Sequence, residues 1–158
     1  MNRDQSLTTL AAFPALLRET VRNLSDTQVR FRPAAGEWSI VEIIGHYIDI
    51  DLLWMRRIGQ MSNADNPQLA PAEQDQRVAE AHYHEKDPGA LLARFAEVRA
   101  ETVAALRLIH SNNLARPAIH PLRGPITLGD IFTILPGHDQ IHTAQIAANV
   151  AAAGNQEV

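Results

Sequence analysis

The sequence contains no cysteine. This absence excludes disulfide bonds, a thiolate nucleophile and thiolate metal ligands, so a metal site in this chain must use nitrogen and oxygen donors. Lysine is almost absent too, because Lys86 is the only one among fourteen basic residues. The arginines are scattered and the formal net charge is −4. We therefore expect no nucleic-acid partner, since phosphate contacts need clustered cations.

Long apolar runs are missing as well. No stretch of about 18 consecutive apolar residues occurs, and the first twenty residues lack the continuous apolar segment of a secretory signal. We expect no membrane partner and a cytoplasmic location. With 158 residues, 46 % of them hydrophobic and 20 % charged, the chain is expected to form a single globular domain over residues 1–158.

Four segments carry apolar residues at helical spacing, whereas strand-like alternation is almost absent. They comprise residues 4–24, 37–59, 88–109 and 127–153. Asp87 is a typical N-cap residue followed by Pro88 at the first helical position, and Thr127 with Asp130 forms a variant capping box. Pro14 should kink the first helix. The pattern predicts an all-α fold, a four-helix bundle.

The connections between these helices are rich in proline, glycine and polar residues. Residues 60–86 are expected to form an excursion with one short helix near 71–80. The segments 25–39 and 114–126 are expected to be loops. The second helix is apolar on two sides, which is typical of a bundle core or a dimer interface.

Two histidines, His138 and His142, lie four residues apart in the segment LPGHDQIHTAQI, directly after the Pro136-Gly137 step. On a helix they fall within about 40° of each other. Their side of the helix also carries Ile131, Ile134, Leu135, Ile141, Gln145, Asn149 and Ala152. That side is mostly apolar, so both imidazoles should point into the bundle, and the two amides indicate a polar site there.

A third histidine, His46, is placed similarly on the second helix. Its face also carries Glu42, Ile43, Asp49, Ile50, Leu53 and Arg57. These neighbours combine apolar core positions with charged groups that a purely structural core would avoid. His46 is therefore a candidate to meet the histidine pair inside the bundle.

A histidine pair at i and i+4 can chelate one metal ion, and a third imidazole from a facing helix completes a set with one open position. The alternative is a set of hydrogen-bonded core histidines. The spacing alone is weak evidence for a metal site, because chance gives roughly 0.3 histidine pairs at i and i+4 in a chain with this many histidines. Pro136 favours the metal site, since proline frees the carbonyl of Phe132 and such distortions often accompany function. The other histidines are poorer candidates: His82, His84, His110 and His120.

The segment FRPAAGEWSIVEIIGHYIDIDLLWMRRI resembles the signature of the DinB-like (YfiT-like) superfamily of small four-helix-bundle metalloproteins. The Trp-Ser-Ile opening, Glu42 and the histidine eight residues after Trp38 carry this similarity. The closing segment ITLGDIFTILPGHDQIHTAQI is similar to the last helix of the family, with its HxxxH pair followed by Gln145. The resemblance covers essentially the whole chain in order and spacing.

The resemblance implies that His46, His138 and His142 are the metal ligands. It also implies a bundle with a long crossover connection, a divalent metal, often a homodimer, and in some members thiol-dependent transferase or isomerase activity. Zinc or nickel is the favoured metal, with iron, manganese and copper as alternatives. No catalytic residue can be assigned from the sequence.

Three residues near the histidines are candidates to orient them, to transfer protons or to hold a substrate. Glu42 and Asp49 could orient His46 or move a proton, and Gln145 could hold substrate or water. Each carboxylate has a simpler interpretation. Asp49 could be an exposed helix carboxylate, and Glu42 could stabilise the first turn of its helix by its charge.

Three neutral imidazoles leave the full charge of a divalent ion available to acidify a ligand at an open position. Either a water or a small thiol could be activated in this way, and the resemblance to the family favours a small-molecule substrate and an external low-molecular-weight thiol for S-transfer or isomerisation. Two alternatives stay open. One is a metal-dependent hydrolase that uses water, and the other is a non-enzymatic metal-binding stress or interaction module whose site is structural.

Overall fold

Four long helices form the bundle in the computed structural model, which describes residues 2–154. They are α1 (Arg3–Val21), α3 (Ile40–Asn63), α5 (Pro88–Arg107) and α6 (Ile131–Gly154). Two short helices, α2 (Asp26–Arg30) and α4 (Gln74–Glu80), lie in the connections, together with a hairpin of β1 (Pro117–His120) and β2 (Gly124–Thr127). The prediction of an all-α bundle is confirmed, and the hairpin is its only sheet within the described residues.

Local sequence explains where the helices begin. The side chain of Ser39 accepts from the backbone N–H of Glu42, and the carboxylate of Glu42 accepts from the backbone N–H of Ser39, which forms a capping box for α3. The carboxylate of Asp87 caps α5 ahead of Pro88. The predicted pair of Thr127 and Asp130 forms its capping box on a short 3₁₀ turn that leads directly into α6.

The helix α3 occupies the centre of the bundle. It packs against α5, α6 and the short helices α2 and α4, while α1 packs against α5 and α6. Every residue from 39 to 51 is buried, so the two apolar sides of this helix are both covered within one chain. A dimer interface is therefore not needed to cover α3, and the homodimer stays a prediction.

The connections contain more regular structure than the sequence predicts. Residues 25–39 include α2, and α3 continues to Asn63, beyond the expected end near residue 59. Residues 114–126 were expected to be loop, and this was wrong, because β1 and β2 pair in antiparallel register with His120 opposite Gly124. Proline is tolerated in such a short sheet, and Gly124 adopts a φ of 71° at the start of β2.

The hairpin is joined to the excursion that follows α3. The backbone N–H of Ile119 donates to the carbonyl of Pro67, and the backbone N–H of Leu69 donates to the carbonyl of Ile119, both at 2.9 Å. This pairing brings His120 next to the second half of α3. No helix among residues 2–154 is long and apolar enough to cross a membrane.

Candidate metal centre

The structure brings together the three histidines that the sequence analysis selected. His46 comes from α3, and His138 and His142 come from successive turns of α6. One ring nitrogen of each lies within 4.8 Å of the others, and the Nε2 atoms of His46 and His138 are 3.0 Å apart. No aspartate or glutamate of the described residues belongs to this group.

All three imidazoles are held in the neutral form that binds metals. Burial, with smaller contributions from the other two histidines, lowers the pKa of His46 to about 2. Burial, with smaller electrostatic contributions from His142, Arg99 and Arg123, lowers the pKa of His138 to about 3. Burial also lowers the pKa of His142. Each ring therefore keeps a lone pair at neutral pH.

One ligand candidate is oriented by a neighbour one turn away. The Nδ1 of His142 lies 2.8 Å from Oε1 of Gln145, which makes Nδ1 the protonated nitrogen and leaves Nε2 as the free donor. The Nδ1 atoms of His46 and His138 are buried and have no hydrogen-bond partner in the described part of the chain. The indole of Trp38 covers one side of the cluster, with its ring centroid 4.6 Å from that of His46.

The two candidate carboxylates, Glu42 and Asp49, both form ion pairs with arginines but differ in how well the sequence predicted their surroundings. Glu42 bonds to Ser39 and, at 2.9 Å, to Nε of Arg32, so it serves the start of α3 as the simpler interpretation predicts. Asp49 is not exposed, because only 6 % of its surface is accessible. Its Oδ1 accepts from Arg77 at 2.8 Å. The interpretation of Asp49 as an exposed carboxylate was wrong, since α4 covers this part of α3 and supplies Arg77.

Two features of α6 differ from the expected pattern. The helix runs through Pro136 and Gly137 without a break. Ile141 was placed on the buried side with the histidines, but 64 % of its surface is exposed. The reason is that this side of α6 does not face a packed core at Ile141. It faces an open cavity.

Two adjoining cavities reach the histidine cluster. The smaller, of about 360 Å³, is lined by His46, Asp49 and Arg77 among others. The larger, of about 520 Å³, is lined by His138 and extends to His120 on the hairpin. A small molecule can therefore approach the cluster from the surface, and volumes of this size are typical of ligand sites.

The four remaining histidines do not join the cluster. His82 lies near Glu85 on the surface, and His84 contacts Ser39 at the start of α3. His110 is exposed. His120 is buried and stacks on the indole of Trp54, with ring centroids 5.9 Å apart.

Sequence reasoning missed a buried ionic cluster beside the histidines. The guanidinium of Arg99 on α5 donates to Asp51 of α3 at 2.7 and 3.0 Å, and to Asp139 of α6 at 2.6 and 2.9 Å. All three side chains are almost fully buried. Asp139 follows His138 directly, so the cluster anchors α6 at the histidine site. The available signal was the presence of two aspartates within largely apolar helical stretches.

The model of the DinB superfamily matches residues 9–146. The chain belongs to the DinB superfamily. Its fold is similar to that of a solved structure, since YfiT from Bacillus subtilis superimposes with a TM-score of 0.86 at 22 % identity, covering 96 % of this chain and 87 % of YfiT. That structure is described as a candidate metal-dependent hydrolase with an unusual four-helix-bundle topology.

Two further proteins are similar to this DinB-superfamily chain. OB0782 of Oceanobacillus iheyensis, named as a candidate metal-dependent hydrolase, is 24 % identical over 135 residues, which are 85 % of this chain and 78 % of that protein. A mycothiol-dependent maleylpyruvate isomerase shares the fold with a TM-score of 0.73 at 11 % identity. The alignment covers 92 % of this chain and 61 % of the isomerase.

Proposed function

We propose that this protein binds one divalent metal ion through His46, His138 and His142 and uses the site to transfer or isomerise a small substrate with the help of an external thiol. The observation that carries the proposal is the convergence of three neutral imidazoles within 4.8 Å beside an open cavity. A structural site would instead be closed by a fourth protein ligand. None of the described carboxylates occupies that position.

The arrangement fits a metal ion. Two imidazole nitrogens that each lie 2.0–2.1 Å from one tetrahedral ion are about 3.4 Å apart. The Nε2 atoms of His46 and His138 are 3.0 Å apart, close to that separation, so the three histidines would hold such an ion as nitrogen donors. Nitrogen donors of this kind suit zinc and nickel, with iron, manganese and copper as alternatives.

A bound divalent ion supplies Lewis acidity, which lowers the pKa of a thiol or a water at its open position. The protein's own contribution is to hold three uncharged donors, to orient His142 through Gln145, and to keep one side of the cluster covered by Trp38. The chain provides no competing thiol, since it has no cysteine.

The thiol reaction is favoured over hydrolysis by the surroundings of the cluster. A thiol with a pKa near 8.5 needs little help to ionise, whereas hydrolysis usually also needs a nearby acid or base to serve the leaving group. Glu42 is engaged with Arg32 and Ser39, and Asp49 is paired with Arg77. The thiol dependence named for the isomerase that shares this fold also supports the proposal.

A metal-dependent hydrolase is the second candidate, because OB0782 and YfiT carry that name. Turnover distinguishes the two reactions. We expect reaction of a thiol such as mycothiol or glutathione with 1-chloro-2,4-dinitrobenzene to be accelerated by the metal-loaded protein. Hydrolysis of p-nitrophenyl acetate without any thiol would support the hydrolase instead.

The first test is the metal content of untagged protein by elemental analysis. We expect about one equivalent per chain, and a loss of most of it in His142→Ala. His110→Ala serves as the control, because His110 is exposed and lies outside the cluster. A wild-type protein that holds no metal and takes up neither zinc nor nickel would contradict the proposal.

A further inference from the structure

Arg57 is a buried cation without an anionic partner. Only 3 % of its surface is exposed, and it lines both cavities beside the histidine cluster. No carboxylate of the described residues forms an ion pair with it, in contrast to the buried Arg99 with its two aspartates. Its guanidinium carbon lies 4.8 Å from the ring centroid of Trp54, and this cation–π contact offsets part of the charge. The ring accepts none of the N–H groups that point along the guanidinium plane, so the buried charge still lacks an anion.

The donors of Arg57 are also largely unused. Its Nη2 donates to the carbonyl of Ala70 at 2.6 Å, and its Nη1 lies 3.2 Å from Nε2 of His120. Its Nε is buried and has no partner among residues 2–154. The guanidinium carries five N–H groups, so most of them lack a firm acceptor.

The contact between Arg57 and His120 joins two hydrogen-bond donors. The Nδ1 of His120 accepts from the backbone N–H groups of Leu122 and Arg123, at 3.2 and 3.3 Å. The proton of the neutral ring is therefore on Nε2. Burial and the charges of Arg57 and Arg123 lower the pKa of His120 and keep the ring neutral. Two donors, Nε2–H of His120 and Nη1–H of Arg57, thus face each other without an acceptor.

The rest of the larger cavity suits the apolar body of a ligand. Its walls include Ile50, Trp54, Leu122, Ile134 and Ile141, and Arg123 adds a further positive charge. Two carboxylates, Glu73 and Asp75, also line the cavity. Both are exposed and neither pairs with Arg57, so they leave the buried donors free for a ligand.

We infer that Arg57 and His120 form a carboxylate-binding subsite, which selects substrates with a carboxylate on a small apolar body that extends toward His138. This inference deepens the proposed function by naming the substrate class. A carboxylate oxygen accepts from Nε2–H of His120 and from the guanidinium, which removes the unsatisfied contact and neutralises the buried charge. The metal site then acts on the opposite end of the same molecule.

The test uses hexanoate and hexanamide as probes of the full-length protein, followed by two-dimensional ¹H–¹⁵N NMR. Both metal-loaded and chelator-treated protein are titrated, because a carboxylate could otherwise bind the metal itself. We expect hexanoate to bind in both states and to shift the amide signals of Leu122 and Arg123. Hexanamide should bind at least about tenfold more weakly, since the charge-assisted hydrogen bonds are lost.

Three variants assign the binding to the subsite. Arg57→Gln and His120→Asn should each weaken hexanoate binding about tenfold or more. In His120→Asn the amide oxygen can replace Nδ1 as the acceptor for the hairpin, while the Nε2 donor and the stacking on Trp54 are lost. Arg56→Gln is the matched control, because Arg56 is an exposed neighbour on the same helix, and it should bind hexanoate nearly as wild type does. If Arg57→Gln does not fold, His120→Asn decides.

The inference is overturned if hexanoate does not bind, if it binds no better than hexanamide, or if both subsite variants bind it as tightly as wild type. Binding that occurs only with metal and is unchanged in the variants would likewise overturn it, because the carboxylate would then sit on the metal. Binding that depends on Arg57 in a protein that takes up no metal would leave the subsite standing and contradict the proposed function alone.

Discussion

At the scale of single residues, the cluster depends on neutral rings that are held in place by their neighbours. His142 has a dedicated partner in Gln145, whereas His46 and His138 are positioned mainly by burial. The identity of the candidate ligands was predictable from helical spacing and from the resemblance to the family. The role of Asp49 was not, because its partner Arg77 is 28 residues away in the chain.

Replacing Gln145 tests the orientation of His142. In Gln145→Leu the ring loses the acceptor for its Nδ1–H, and we expect zinc affinity to fall by about 10–100-fold. Competition with a chromogenic zinc chelator measures the change. Gln140→Leu is the control, since Gln140 is exposed on the same helix, and an equal affinity in both variants would contradict this role for Gln145.

The lowered pKa of His46 predicts a pH dependence of stability. Its folded-state pKa of about 2 lies below the usual 6.5, so the unfolded chain binds a proton that the folded chain does not. The stability from neutral His46 is present above about pH 6.5 and is lost as the pH falls toward 2. Urea unfolding of metal-free protein measures the free energy of unfolding as a function of pH. Between the two pKa values, this free energy should rise with pH less steeply in His46→Phe than in wild type, by about 1.4 kcal/mol per pH unit. Parallel pH profiles would contradict the prediction.

At the scale of elements, each long helix was predictable because apolar periodicity and caps act within one segment. The hairpin was not predicted, since three prolines in 114–126 suggested a loop. The backbone groups of Pro67 and Leu69 that extend its pairing also lie far from it in the chain. Contacts between elements also explain why a glycine occupies position 45. A Cβ at Gly45 on α3 would lie 2.2 Å from the ring of Tyr83, so the segment between α4 and α5 packs directly on the helix backbone.

We expect Gly45→Ala to destabilise the protein by about 1–3 kcal/mol, because the Tyr83 ring must move. Gly59→Ala is the matched control on the same helix, where a Cβ would meet nothing within 4 Å. That change should stabilise the protein by up to about 1 kcal/mol through helix propensity. Urea unfolding followed by circular dichroism measures both, and a stable Gly45→Ala protein would show that the contact with Tyr83 yields easily.

At the scale of the whole molecule, Arg99 of α5 contacts residues of the other three long helices. Its guanidinium joins Asp51 and Asp139 in the interior and lies over the rings of Phe13 and Phe95. Two carboxylates would remain buried without a counter-charge if the arginine were removed. The same cluster holds the turn of α6 that carries His138.

We expect Arg99→Met to lose about 3–5 kcal/mol of unfolding free energy, because it leaves buried charges unpaired. Arg94→Met on the same helix removes only an exposed ion pair with Glu97 and should change stability by less than about 1 kcal/mol. Chemical denaturation of both variants provides the measurement. Similar stabilities for the two would indicate that Asp51 and Asp139 become protonated at little cost.

The four helices and the placement of His138 and His142 on one side of α6 are predictable from the sequence, because both depend on residues within a few turns of one another. The lack of thiol ligands follows from composition. Contacts between distant residues come from the fold: His46 meets His138 across 92 residues, Arg57 meets His120 across 63, and Arg99 lies between two aspartates. Such contacts depend on how helices and connections pack. Local periodicity carries no information about that packing.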